Sequence, residues 1–177
     1  IGEAPEYLIE QTWMNRVAEV VEYAHQAGLK AVINIHHDGA DSKYWLNIIA
    51  ARSNEEKANE IQQELVALWT QIATRFADAE DWLMFEVMNE IQDGSWGTGK
   101  PNEYKVMNVW NQACVDAIRA TGGNNATRWI GCPAYNTNLT AAMNGWEKPN
   151  DPANRVALAV HTYDPYNFTL ECSQNTW

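Results

Sequence analysis

The sequence predicts an α/β protein whose strands and helices form part of a (β/α)₈ barrel, and three observations predict it. Helical apolar stripes alternate with short apolar strands along the chain, which implies a parallel sheet with crossover helices. Three of the four strands run straight into polar, chemically capable residues: His36, His37 and Asp38; Asn89 and Glu90; His161, Tyr163 and Asp164. Barrel enzymes assemble their sites from the C-terminal ends of several strands, whereas a doubly wound sheet concentrates its site at one switch point. Finally, neither GxGxxG nor GxxxxGK[ST] occurs, so a nucleotide-binding sheet has no support.

The elements follow in order. Trp13, Val17, Val20, Val21 and Ala24 fall on one face of a first helix, which Gly28 ends as a left-handed cap. Ala31 to Ile35 is a β-branched strand. Ser53 and Glu56 have capping-box spacing ahead of a second helix, whose stripe is Ile61, Leu65, Leu68, Ile72 and Phe76. Leu83 to Met88 is the second strand. A third helix runs from about Asn102 to Thr121 with Met107, Trp110, Cys114 and Ile118 inward, and Gly122 and Gly123 stop it. Trp129 to Cys132 is the third strand, and it leads more weakly into Tyr135 and Asn136. A short helix is expected between Ala141 and Trp146, a fourth strand at Val156 to Val160, and an irregular polar end. Four strands can form a small open sheet or part of a barrel, which normally needs eight. A half barrel leaves two sheet edges unpaired, which invites self-association or a complementing chain.

Composition narrows the function. The 177 residues suit a single domain with a sizeable core and leave little room for a second. Twelve basic against 23 acidic residues give a net charge of −11, which disfavours nucleic acid and anionic membrane surfaces as partners. No apolar run is longer than Val156 to Val160, which is far too short to span a bilayer. Cys114, Cys132 and Cys172 are an odd set without zinc-like spacing and read as mostly small buried hydrophobes. Nine tryptophans exceed what a core of this size requires, and aromatic faces also stack on sugars; Trp45, Trp96, Tyr135 and Trp146 are candidate platforms.

Asn89-Glu90 is the strongest local signal. A carboxyl group just past an apolar strand, shielded by Met88 and aromatic neighbours, can donate a proton near neutrality. The Asn89 amide can bind a substrate hydroxyl. Glu86 has the same strand parity as Glu90 and points to the same side; inside a barrel it needs a cationic or hydrogen-bonding partner and has a supporting role. His36 and His37 are adjacent on an extended segment, point apart and make a poor chelating pair. With HxH and HExxH absent, no metal or other cofactor is expected, and these histidines instead suit hydrogen bonds to substrate or to a carboxylate. His161 and Tyr163, two apart, can face one side and position a carboxylate or a hydroxyl. His25, near the end of the first helix, is read as structural.

Four segments carry a resemblance. Val-Ile-Asn-Ile-His-His-Asp-Gly (32–39), Phe-Glu-Val-Met-Asn-Glu (85–90), Ala-Thr-Gly-Gly-Asn-Asn (120–125) and Val-His-Thr-Tyr-Asp-Pro-Tyr-Asn-Phe (160–168) are similar, in this order, to glycoside hydrolase family 5, in its bacterial and anaerobic-fungal endoglucanase and xyloglucanase branch. The resemblance implies a (β/α)₈ barrel, secretion, and retaining hydrolysis of β-1,4-linked glucan. It places Glu90 as general acid/base and Asn89 beside it on the sugar 2-hydroxyl. His37 and His36 match the histidines after strand three, and His161 and Tyr163 those residues after strand six that flank the nucleophile. The family nucleophile, a glutamate ending strand seven, has no counterpart in this sequence. The same holds for the arginine of strand two and the tryptophan after strand eight. The chain therefore resembles the middle of one catalytic domain, strands three to six, with no second domain. The rival expectations are a non-catalytic glucan-binding piece, a self-associating half barrel, and a metal-dependent hydrolase using His36, His37 and His161.

Overall fold

The structure is a computed structural model that describes residues 1–36 and 46–172; His37, Asp38 and Trp45 lie outside the described residues. Four strands, β1 (Ala31–Asn34), β2 (Leu83–Glu86), β3 (Ile130–Pro133) and β4 (Val156–Ala159), form one sheet in that order. All three pairings are parallel, with Asn34 opposite Glu86, Glu86 opposite Gly131 and Gly131 opposite Ala157. Strand order follows chain order without reversal, so there is no switch point, and the sheet is wound in one direction as a barrel requires. β1 and β4 are its two edges among the described residues. β1, β2 and β4 are shorter than their apolar runs, because the residues after them leave the ladder to reach the site, while β3 keeps four residues and starts one later than expected.

Helix α1 (Gln11–Gln26) precedes β1, α2 (Ile48–Ala51) and α3 (Glu55–Arg75) lead to β2, α4 (Pro101–Ala120) leads to β3, and α5 (Leu139–Gly145) leads to β4; a single turn, α6 (Tyr166–Thr169), follows. The core lies between sheet and helices. Leu83, Phe85 and Val87 point into it with no exposed surface, while Met84 and Glu86 face the other side. Trp69 of α3 sets its ring 5.2 Å from Phe85 and donates Nε1–H to the Val87 carbonyl at 2.9 Å. Leu65 and Leu68 of α3 and Met107, Trp110, Cys114 and Ile118 of α4 are buried as their spacing predicts. Cys114 and Cys132 are buried free thiols, and Cys172 is an exposed one.

Two local expectations are corrected. The face of α1 that turns inward carries Met14, Ala18 and Val21, whereas Trp13 is 64% and Val20 49% exposed. Both faces are apolar, so periodicity cannot choose between them. The cap of α3 is Asn54, whose side chain accepts the Lys57 N–H at 3.2 Å, and not Ser53 one residue earlier. Gly28 does end α1, with φ +74 and its N–H on the His25 carbonyl at 2.8 Å. His25 stacks on Trp82 with ring centroids 4.0 Å apart, a structural role.

Polar groups tie the sheet to its helices. Arg128, 4% exposed, enters β3 from below. Its guanidinium donates to the carbonyls of Phe76 (2.9 Å), Ala79 (2.6 Å), Glu80 (3.1 Å) and Leu83 (2.7 Å) and to Asn125 Oδ1 (2.7 Å). It thereby closes the end of α3 onto the start of β2. Arg119 holds Asp151 through paired bonds of 2.9 and 3.0 Å, and this arginine keeps the Asp151 carboxyl down at about 2.

Candidate active site

Glu90 lies four residues past the last residue of β2, and His161 two past the last residue of β4. The sheet brings them together although 71 residues separate them: His161 Nδ1 is 2.8 Å from Glu90 Oε1. Tyr163 donates its hydroxyl to the same oxygen at 3.3 Å. On its other side, His161 Nε2 lies 3.1 Å from Glu86 Oε1, and Asn34 of β1 donates Nδ2–H to Glu86 Oε2 at 3.2 Å. The ends of β1, β2 and β4 thus meet in one cluster of two carboxylates, an imidazole, a phenol and an amide. β3 runs between β2 and β4 and presents Gly131 toward this side. A β-carbon there would stand 3.5 Å from that of Ala159 and 3.7 Å from that of Glu86, so a bulky residue would crowd the line between Glu86 and His161.

The local backbone explains the placement. Asn89 donates its N–H to Ile35 O at 3.2 Å, which continues the β1–β2 pairing past the ladder and carries Glu90 to the rim. His161 N–H donates to Thr137 O at 2.9 Å and is held by the loop after β3 in the same way. Asn89 is 2% and Glu90 9% exposed, whereas Tyr163 is 49% exposed and forms the open side. Burial alone would lower the pKa of His161; its bond to Glu90 and the Glu86 charge outweigh that and raise it above 6.5. The charge of Glu90, then burial, raises the Tyr163 phenol. A shielded carboxylic acid with one oxygen anchored and a sheltered cation beside it can hand a proton to a neighbouring leaving group and take it back.

The sequence-derived residues do not all gather here. Glu90, His161 and Tyr163 touch one another, with Asn89 beside them. His36 is exposed just past β1. His37 and Trp45 are outside the described residues. Tyr135 is corrected: its ring is 1% exposed, and its hydroxyl accepts the Asp93 N–H and donates to Asp93 Oδ1, both at 2.8 Å, so it offers no face for stacking. Asn136 follows it with φ +55 and ties its N–H to Ile91 O at 2.8 Å; its side chain reaches toward Gly97 O. Tyr135 and Asn136 therefore brace the loop after Glu90. Trp96 is 57% exposed and keeps an open face.

Sequence reasoning missed the rest of that brace. Arg52 bridges Asp93 (3.1 Å) and the fully buried Glu103 (2.5 Å). Ser95, then Tyr135, hold the Asp93 carboxyl well below its ordinary value. These residues are far apart in the chain and show no spacing pattern. Asn34 was foreseeable only from its parity on β1. Among the described residues, no group of three His, Cys, Asp or Glu side chains has the geometry to hold a metal ion.

Comparison with known proteins matches residues 1–176 to the model of Cellulase (glycosyl hydrolase family 5). Endoglucanase A of Paenibacillus barcinonensis is 37% identical over 188 residues, which cover 99% of this chain and 46% of that protein. Among solved structures, a GH5-4 broad specificity endoglucanase from Bacteroides salanitronis superposes with a TM-score of 0.92 at 52% identity, over 98% of this chain and 47% of that one. ZgEngAGH5_4 in complex with a cellotriose matches with a TM-score of 0.86 at 38% identity, over 100% of this chain and 52% of that one. The chain thus spans about half the length of these relatives.

Proposed function

Because the chain belongs to glycosyl hydrolase family 5 and its sheet is part of that family's (β/α)₈ barrel, we propose that it supplies the acid/base side of a retaining endo-β-1,4-glucanase. The observation that carries this reading is the convergence of His161 and Tyr163 on one oxygen of Glu90 at the C-terminal ends of β2 and β4. Glu90 protonates the glycosidic oxygen and later deprotonates the water that releases the glycosyl group, and Asn89 binds the sugar 2-hydroxyl. His36 flanks the cleft from β1, and Trp96 offers it a stacking face. The nucleophile comes from a seventh strand, about 5 Å from Glu90 as retention requires. The substrate is a β-1,4-glucan, as the cellotriose bound by ZgEngAGH5_4 and the endoglucanase relatives support. All 177 residues then belong to one catalytic domain, and an extracellular location goes with a polymeric substrate.

An enzyme that joins this chain to the remaining strands is expected to release the β-anomer first from a soluble β-1,4-glucan, followed by proton NMR during the first minutes of reaction. Initial release of the α-anomer would mean inversion and would remove the covalent mechanism.

The β1 edge, where Val32 is 59% exposed, favours a second property of the isolated chain. We expect self-association or capture of a complementing half across these edges. Light scattering of the 177-residue chain should then give a mass above that of the monomer, and a monodisperse 20.0 kDa species would end this reading.

A further inference from the structure

Glu86 is a largely buried carboxyl group that the proposed reaction leaves without a task. Its side chain is 13% exposed, that of Glu90 12% and that of His161 31%. Among the described residues its partners are the His161 ring and the neutral amide of Asn34. We propose that Glu86 is a positioning residue that acts through His161 to fix which oxygen of Glu90 carries the transferable proton. This deepens the acid/base reading of Glu90 and rests on it.

The geometry leads there in three steps. An ionised carboxylate only accepts hydrogen bonds, so each ring nitrogen of His161 that faces one must present an N–H. The Glu86 carboxylate on Nε2 makes that nitrogen a donor, and a ring that also donates from Nδ1 to Glu90 Oε1 is an imidazolium. Glu90 Oε1 then accepts from His161 Nδ1 at 2.8 Å and from the Tyr163 hydroxyl at 3.3 Å, and its acceptor positions are taken. Oε2 is left to hold the proton that moves.

The proton count closes. Before transfer the mobile proton sits on Oε2 of Glu90, and both ring nitrogens of His161 carry theirs. As the Oε2–H bond breaks and the glycosidic oxygen gains the proton, the new Glu90 anion forms against a cation already in place. The attacking water returns a proton to Oε2 in the second half of the reaction. Without the Glu86 charge the ring loses one of the two carboxylates that favour its cation and gives up its Nδ1 proton more readily. It can then turn its bare Nδ1 lone pair to Glu90, attract the proton onto Oε1 and point it away from the leaving group.

The remaining surroundings of the ring are consistent with this. The charged groups acting on it, among the described residues, are Glu90 and Glu86. Tyr163 faces it from its own segment, Asn34 from β1 is neutral, and the loop after β3 contributes the Thr137 carbonyl that holds its backbone. The raised pKa of the ring agrees with two flanking carboxylates.

The test is an NMR titration of the full 177-residue chain labelled with ¹⁵N-histidine, following both ring nitrogens. His161 is expected to titrate above 6.5 with both nitrogens protonated at the start. In Glu86→Gln, where the amide keeps the size and an acceptor but loses the charge, the midpoint should fall by about one unit. The signal of His25, which stacks on Trp82, should stay where it was and reports that the fold persists. A midpoint shifted by less than about 0.3 unit, with His25 unchanged, overturns the proposal. If Glu86→Gln does not fold, Asn34→Ala removes the second anchor of Glu86 and should give a smaller fall in the same direction. An unsubstituted chain whose His161 titrates at or below 6.5 overturns it without any variant. The titration involves no glucan, so failure of the glucanase reading and failure of this role are observed separately.

Discussion

Replacing Glu90 by Gln, in an enzyme carrying this chain and the strands that complete its barrel, should lower turnover of unactivated β-glucan by about 10²- to 10⁴-fold. Glutamine keeps the volume of the side chain and an oxygen for His161 and Tyr163 to bond, so the cluster survives; what is lost is the proton. The expected loss is therefore in kcat, with KM little changed. A substrate whose leaving group departs without protonation, such as an activated aryl glycoside, should be much less affected in its first step. Parallel kinetics on both substrates check this. Equal losses on both would point to a damaged fold, and full turnover of the glucan would remove Glu90 from the acid/base role.

The largest expected effect on stability lies away from the site. Arg128→Met should cost about 3–5 kcal/mol, because it strips a buried guanidinium from four carbonyls and an amide oxygen at once. Methionine fills part of the volume and keeps contact with the Phe85 ring, 4.8 Å from the guanidinium carbon, but none of its atoms can donate. The carbonyls of Phe76 and Glu80 would keep only the backbone N–H groups of Ala79 and Leu83, and those of Ala79 and Leu83 would lose the guanidinium without a replacement donor. The melting temperature should drop by about 10 °C. Urea unfolding of the two chains checks the figure, and a loss below about 1 kcal/mol would show that water replaces the guanidinium without penalty.

Much of this was legible in the residues, for reasons that differ from one place to the next. α3 and α4 could be read because each has one apolar stripe, and Leu65, Leu68, Met107 and Trp110 all turned inward. α1 has two, and only the neighbours it meets choose Met14 and Ala18 over Trp13 and Val20. The cluster of Glu90, His161 and Tyr163 was legible because residues past strand ends point to a common rim in a parallel sheet. Tyr135 also follows a strand end, yet its ring packs down and its hydroxyl serves Asp93. Residue type and position cannot separate a phenol that braces a loop from one that faces a sugar. The same holds for Arg52, Glu103 and Arg128, whose partners are distant in sequence and follow no period.

The pairing of Glu86 with Gly131, and of Gly131 with Ala157, has a consequence for how the cluster is assembled. A slip of one residue along β4 would send the imidazole to the helix side, leaving Glu90 without its ring partner and Glu86 with Asn34 alone. Assembly of the cluster is thus a read-out of correct threading: a mis-threaded chain could still be compact and helical, yet the ring that orients Glu90 would be on the wrong face.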